Sequence, residues 1–178
     1  YEIPKRDWSS DVCSSDLQQN IPIHEDFGFD LLALETKPWD LYEARGCFAH
    51  AHGRGDFMAN YVLEVPKGGK TKPIRHLYEA TCYVLSGRGS TTVWAPGGGK
   101  HTFEWGPKSV FALPLNCQYQ MFNGSGQESA RISITNDAPI SLNLYHNEGF
   151  IFNNPYDFPE RIGSGKHFEG EGELLQFT

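Results

Sequence analysis

His76, Cys82 and Tyr119 are the side chains of this chain whose types and placement can do chemistry. His76 and Cys82 lie in the stretch Gly68–Gly87, GGKTKPIRHLYEATCYVLSG. Residues two apart in an extended strand share a face, so Ile74, His76, Ala80, Cys82 and Val84 are expected to line one side of an interior. The stretch Lys108–Asn123, KSVFALPLNCQYQMFN, presents Tyr119, Met121 and Asn123 in the same way. An imidazole titrates near neutral pH and can move a proton. A phenol can donate to a developing oxyanion. A thiol becomes a nucleophile when a neighbouring imidazole lowers its pKa. His76, Cys82 and Met121 together also form a set soft enough for copper(I), although Met and Cys at such positions are more often plain core residues. The bland alternative for His76 is an interior histidine satisfied by Tyr119 or Asn123. A second constellation, His50-x-His52, would put two imidazoles on one strand face and is a metal pair when taken alone. A turn, Gly53-Arg54-Gly55, follows at once, and the preferred reading is two histidines at a polar rim or solvent face. Arg75 and His101 are read as surface residues.

Short strands must position these groups. The 178 residues contain 19 glycines and 11 prolines, which suggests many turns. Phe57–Val65 is rich in aromatic and β-branched residues and reads as a strand. The stretch before Gly87 and Ser90–Trp94 read as a hairpin around Gly87-Arg88-Gly89. His101–Trp105, Ser129–Asn136 and Ser141–His146 read as further strands, and Asp30–Leu34 as a short helix or an edge strand. Lys37-Pro38 marks a break, because the residue before proline avoids the helical region. Trp39, Leu41 and Tyr42 are expected to pack an N-terminal arm on the rest. The pattern predicts an all-β fold, an antiparallel barrel or jelly roll.

Composition bounds the partners. The net charge of −7 argues against a nucleic-acid backbone, which wants a basic face, and no apolar run approaches the length of a membrane span. Cys13, Cys47, Cys82 and Cys117 show no C-x-x-C pairing, so free thiols in a reducing cytoplasm are expected.

Two resemblances add to this reading. Residues 7–17, DWSSDVCSSDL, resemble a translated sequencing adapter, with Tyr1-Glu2-Ile3 fitting its upstream end. That implies draft or environmental sequence data, and segment 1–17 is left out of fold reasoning. The second resemblance is to the cupin superfamily. Gly68, Ile74, His76, Ala80 and Gly87 fall at the places of Gly, His, His, Glu and Gly in the first cupin motif. Lys108, Pro114, Asn116, Tyr119 and Asn123 fall at the places of Gly, Pro, Gly, His and Asn in the second. Asn tolerates left-handed backbone better than most residues, so Asn116 is an acceptable replacement for glycine. More narrowly, HLYE (His76–Glu79), YVLSGRG (Tyr83–Gly89), STTVW (Ser90–Trp94), FEW (Phe103–Trp105) and FNNP (Phe152–Pro155) resemble the N-terminal half of uncharacterised bicupin proteins.

The resemblance implies a double-stranded β-helix in residues 46–158, an N-terminal arm in 18–45, and a linker or loop-rich tail in 159–178 leading to a second cupin domain. It also implies a site of three imidazoles and one carboxylate for a divalent transition metal such as iron, manganese, nickel, copper or zinc. This chain keeps only His76 of those four positions. Glu79 stands next to the lost carboxylate and would serve only if a bulge shifted the register. The first expectation is therefore a metal-poor cupin, a small-molecule-binding or supporting half of a bicupin that pairs with a second cupin domain or a second copy. Two others stand beside it: a metal-dependent oxygenase, decarboxylase or lyase, and a metal-free isomerase using His76 and Tyr119. A non-enzymatic sensor would instead show a roomy apolar pocket with few polar groups.

Overall fold

The computed structural model describes residues 19–53, 57–94 and 99–157. The adapter-like segment 1–17 and the tail 159–178 lie outside the described residues. The described chain runs β1 (Ile23–Asp26), β2 (Lys37–Trp39), β3 (Ala44–Ala51), β4 (Ala59–Val65), β5 (Ala80–Ser86), β6 (Gly89–Trp94), β7 (Lys100–Trp105), β8 (Val110–Leu113), β9 (Gln118–Asn123) and β10 (Ala130–Asn136). Two short helices follow, α1 (Ala138–Tyr145) and α2 (Glu148–Ile151). The fold is an all-β jelly roll.

The larger sheet has the order β1-β3-β4-β10-β5-β8, with β2 also on β3, and the smaller has the order β7-β6-β9. The β1–β3 pair is parallel and the other pairs are antiparallel. The passage from Gly69 to Ile74 runs antiparallel along β9. Ile74 and Tyr119 exchange both backbone hydrogen bonds (3.1 and 2.9 Å), and the Asn123 N–H donates to the Gly69 carbonyl at 2.9 Å. His76 therefore belongs to the same wall as Tyr119, one strand over.

Packing follows the period of two. On β5, Ala80, Cys82 and Val84 are buried while Thr81 and Tyr83 are exposed. On β9, Tyr119, Met121 and Asn123 are the buried set. Ile132 and Ile134 of the central strand β10, with Leu63 and Val65 of β4, fill the space between the sheets. The arm is held from outside by charge. Arg131 on β10 donates to the Glu64 carboxylate at 2.8 Å and to the Leu32 and Leu34 carbonyls at 2.7 and 3.1 Å. Its guanidinium thus fixes the turn at 31–33 where the sequence suggested a helix or an edge strand.

Three local expectations are corrected. Gly87 does not close a hairpin: β5 pairs with β10 and β8, whereas β6 pairs with β7 and β9. The Gly-Arg-Gly turn carries the chain from one sheet to the other. A side chain at Gly87, whose φ is +81°, would meet the Ala130 backbone at 2.7 Å. Ser141–His146 is not a strand but lies in α1 and its cap. Pro139 sits in the first turn, where its missing N–H costs nothing, and Leu142 is the buried residue of the helix. Asp30–Leu34 forms the turn already described.

Candidate functional site

The site is built on His76. The imidazole is fully enclosed, with Nδ1 3.0 Å from the Tyr78 carbonyl and Nε2 3.1 Å from the Tyr119 hydroxyl. A carbonyl can only accept, so Nδ1 carries the hydrogen and Nε2 accepts from Tyr119. Burial holds the imidazole neutral by lowering its pKa to about 4. The polarity then propagates. Tyr119 has spent its one proton on His76, so the hydroxyl of Tyr42, 3.1 Å away, donates to it. Tyr42 in turn accepts from Tyr61 at 2.6 Å. The result is one directed chain, Tyr61 to Tyr42 to Tyr119 to His76 to the Tyr78 carbonyl.

Four separate parts of the fold supply this chain. Tyr61 comes from β4, Tyr119 from β9, His76 from the passage along β9, and Tyr42 from the turn between β2 and β3. The Tyr42 carbonyl also accepts from the Lys72 N–H at 2.9 Å, which ties the arm to the histidine-bearing passage. The Tyr78 ring stacks on His76 with centroids 3.7 Å apart and planes 4° from parallel. Burial pushes the phenol pKa values of Tyr61, Tyr78 and Tyr119 well above the usual range and raises that of Tyr42, so all four are neutral phenols at ordinary pH.

Each residue singled out from the sequence has a definite place. Ile74, Ala80, Val84 and Met121 are buried core residues around the His76–Tyr119 pair. Cys82 is fully buried and burial pushes its thiol up, not down. Both His76 nitrogens are committed elsewhere, so the nucleophile expected there has no activating base. Asn123 does not face a ligand space: its amide donates to the Val65, Pro66 and Glu128 carbonyls at 3.1, 3.1 and 2.8 Å and clamps the end of β4. Glu79 is exposed, and its backbone N–H bonds Asp137 at 2.7 Å. Its side chain is exposed while His76 is enclosed, so Glu79 does not join His76 in one site. His50 is not a rim residue: it is buried, with Nδ1 4.0 Å from Glu25, while His52 past the strand end is exposed. Arg75 is buried too, held by Asp157 at 3.2 Å.

Among the described residues, no group of three or more His, Cys, Asp and Glu side chains converges to hold a metal ion. His76 offers no free lone pair, and beside it stand phenols, apolar groups and a single buried thiol, Cys82. The residues present therefore do not fit the metal centre that the cupin resemblance implies. Tyr78 was absent from the sequence-derived site although it continues the alternation of Ile74, His76, Ala80 and Cys82. Tyr42 and Tyr61 carried no local signal, because only the closing of the sheets brings their hydroxyls to Tyr119.

At the mouth of the fold lies a cleft of about 40 Å³, walled by Trp39, Phe48, Tyr61, Tyr78 and Phe152 and bounded by Glu148. It touches the first phenol of the chain and the ring stacked on His76, but neither His76 nor Tyr119 lines it. Ligand pockets for organic substrates run to about 300–1,000 Å³, so this cleft suits one small group.

No family model matches the sequence, and no curated protein is similar to it. Solved structures do match. Oxalate decarboxylase from Lactobacillus farciminis, in complex with formate, aligns at TM-score 0.52 with 15% identity over 62% of this chain and 33% of its own. Oxalate decarboxylase from Bacillus subtilis, a protein with Mn(II) centres, aligns at TM-score 0.51 with 19% identity over 61% and 29%. The Schizosaccharomyces pombe Cnp3 cupin domain aligns at 0.48 with 23% identity over 62% and 68%. The matched region spans about a third of the decarboxylases' own length. The two decarboxylase likenesses show that the matched region shares their fold.

Proposed function

We propose that this chain is a metal-poor cupin domain that serves as a small-molecule-binding or supporting half of a longer two-cupin protein. Residues 46–158 would form the cupin domain and 18–45 its arm, with pairing to a second cupin domain or a second copy. The observation that carries this reading is the commitment of His76: both nitrogens are hydrogen-bonded inside a closed row of neutral phenols. A divalent metal would have to displace Tyr119 from Nε2 and find its remaining ligands among Ile74, Ala80 and Cys82. The buried, unbridged thiols of Cys47, Cys82 and Cys117 support a reducing, cytoplasmic setting. No helix among the described residues is long and apolar enough to cross a membrane.

The metal-free isomerase reading draws on one specific observation, the direct Tyr119–His76 hydrogen bond. It requires a substrate to reach that pair, and the cleft stops at Tyr61 and Tyr78. The test is metal content by mass spectrometry on protein purified without a histidine tag, with His76→Ala alongside. Substoichiometric metal in both proteins is the expected result. Stoichiometric iron, manganese, nickel, copper or zinc that disappears in the variant would overturn the proposal and direct attention to oxygenase, decarboxylase or lyase chemistry.

A further inference from the structure

Helix α1 carries its large apolar side chains mostly outward. Leu142 is its buried residue, and none of its eight residues is charged. Ile140 and Leu144, four apart and so on one stripe, are 47% and 67% exposed. Tyr145, 48% exposed, lies against Phe150, 44% exposed, with ring centroids 4.8 Å apart, so the apolar surface runs on from α1 to α2. Together with Tyr156, 61% exposed, these side chains line a groove of about 470 Å³, and among the described residues its lining holds no charged group. At about 200 Å² for a full side chain, the five leave on the order of 500 Å² of apolar surface in water. The largest such patch on an ordinary monomer is about 300–600 Å², and patches of that size are often functional.

We propose that this groove is an interface with a second copy of the chain, in which α1 of each copy lies across the groove of the other about a two-fold axis. A copy fits on three grounds. A two-fold contact needs ridge and groove on the same patch, and here Leu144, the most exposed of the five, stands on the wall of the groove that would receive its counterpart. A chain of net charge −7 repels its own copies, so they meet most easily on a face without charge. Two such patches face to face cover on the order of 1,000 Å², which is about the least that a specific interface needs. This gives a place to the pairing with a second copy in the function proposed above, and it rests on that reading for the pairing alone. Metal content reads the interior at His76, whereas self-association reads α1, so either can fail alone.

The experiment is sedimentation equilibrium of the full chain over a range of about 1 to 200 μM. The expected result is a monomer–dimer equilibrium with a Kd on the order of 10 μM, since an interface at the low end of area is a weak one. Added sodium chloride should not weaken it, because salt screens the repulsion between the copies and an uncharged contact has no charge attraction to lose. Leu144→Glu puts like charges on both sides of the contact and should weaken association at least about 10-fold. Leu144 is exposed and Glu is a good helix former, so the variant should fold, and circular dichroism checks this. Val110→Glu makes the same change at a residue 64% exposed on β8 and outside the groove, and should move the Kd by less than about 2-fold. Unchanged association in folded Leu144→Glu, equal weakening by Val110→Glu, or a parent chain that stays monomeric at every concentration would each overturn the proposal.

Discussion

The buried imidazole makes a quantitative prediction about acid. In the folded chain the His76 pKa is about 4, against the ordinary 6.5, because burial disfavours the charged ring. In the unfolded chain the ring is free to take a proton near pH 6.5. The folded-state pKa is depressed, so the contribution to stability is fully present above pH 6.5. As pH falls, the unfolded state gains a proton that the folded state refuses, and stability is lost down to about pH 4. At 1.36 kcal/mol per pKa unit, the loss attributable to this one ring is on the order of 3 kcal/mol. Carboxylates titrate in the same window, so the informative quantity is the difference between the parent chain and His76→Gln. Gln has an oxygen to accept from Tyr119 and an N–H to offer the Tyr78 carbonyl, yet it does not titrate. Urea unfolding free energies measured from pH 7 to pH 4 should converge by about 3 kcal/mol, with the parent chain losing more. Proton uptake on unfolding, measured at pH 5 to 6, should be close to one proton larger for the parent chain. Parallel stability profiles for the two proteins would refute the reasoning, since they would mean that His76 is already protonated or is solvated in the folded state.

Three further predictions test other parts of the structure. Tyr119→Phe breaks the directed chain in the middle and leaves His76 Nε2 and the Tyr42 hydroxyl without their partner, so urea unfolding should show a loss of about 2–4 kcal/mol. Cys82, fully buried with a raised thiol pKa, should resist thiol reagents in the folded state and react at the rate of unfolding in a denaturant series; fast native labelling read by mass spectrometry would contradict its placement. Gly89→Ala should cost more than about 3 kcal/mol, beyond ordinary overpacking. A Cβ there would lie 2.0 Å from the Phe122 carbonyl oxygen and 2.6 Å from the Trp105 ring, where β6 meets β9, and a thermal unfolding curve suffices to measure it.

The local conformations of the turns were legible where the cupin motifs call for glycine. Gly68, Gly87, Lys108 and Asn116 all carry positive φ, at 59°, 81°, 71° and 51°. Asn116 tolerates this as its side-chain type suggests, and its amide also donates to the Tyr156 carbonyl. The inward faces of β5 and β9 were equally legible, because alternation along a strand is a property of the chain alone. What the alternation did not reveal is where a strand's partner lies. The hairpin expected around Gly87 is a crossing between sheets, and the polar His50 is buried beside the ring of Phe48.

The sequence by itself determined the all-β class, the short strands and the presence of one imidazole where the cupin motifs carry several metal ligands. The tertiary structure decided what that imidazole does. A hydrogen bond between residues 43 or 77 positions apart, as between His76 and Tyr119 or Tyr42 and Tyr119, leaves no local pattern in a chain. It exists because Tyr42, Tyr61, His76 and Tyr119 are pressed into one buried interior, where each hydroxyl must find a partner or incur the cost of being buried without one. The same closure brings Trp39, Phe48, Tyr61, Tyr78 and Phe152 to one cleft. Burial and proximity across distant segments belong to the folded chain, and they decide here both the silence of the interior histidine and the character of the mouth.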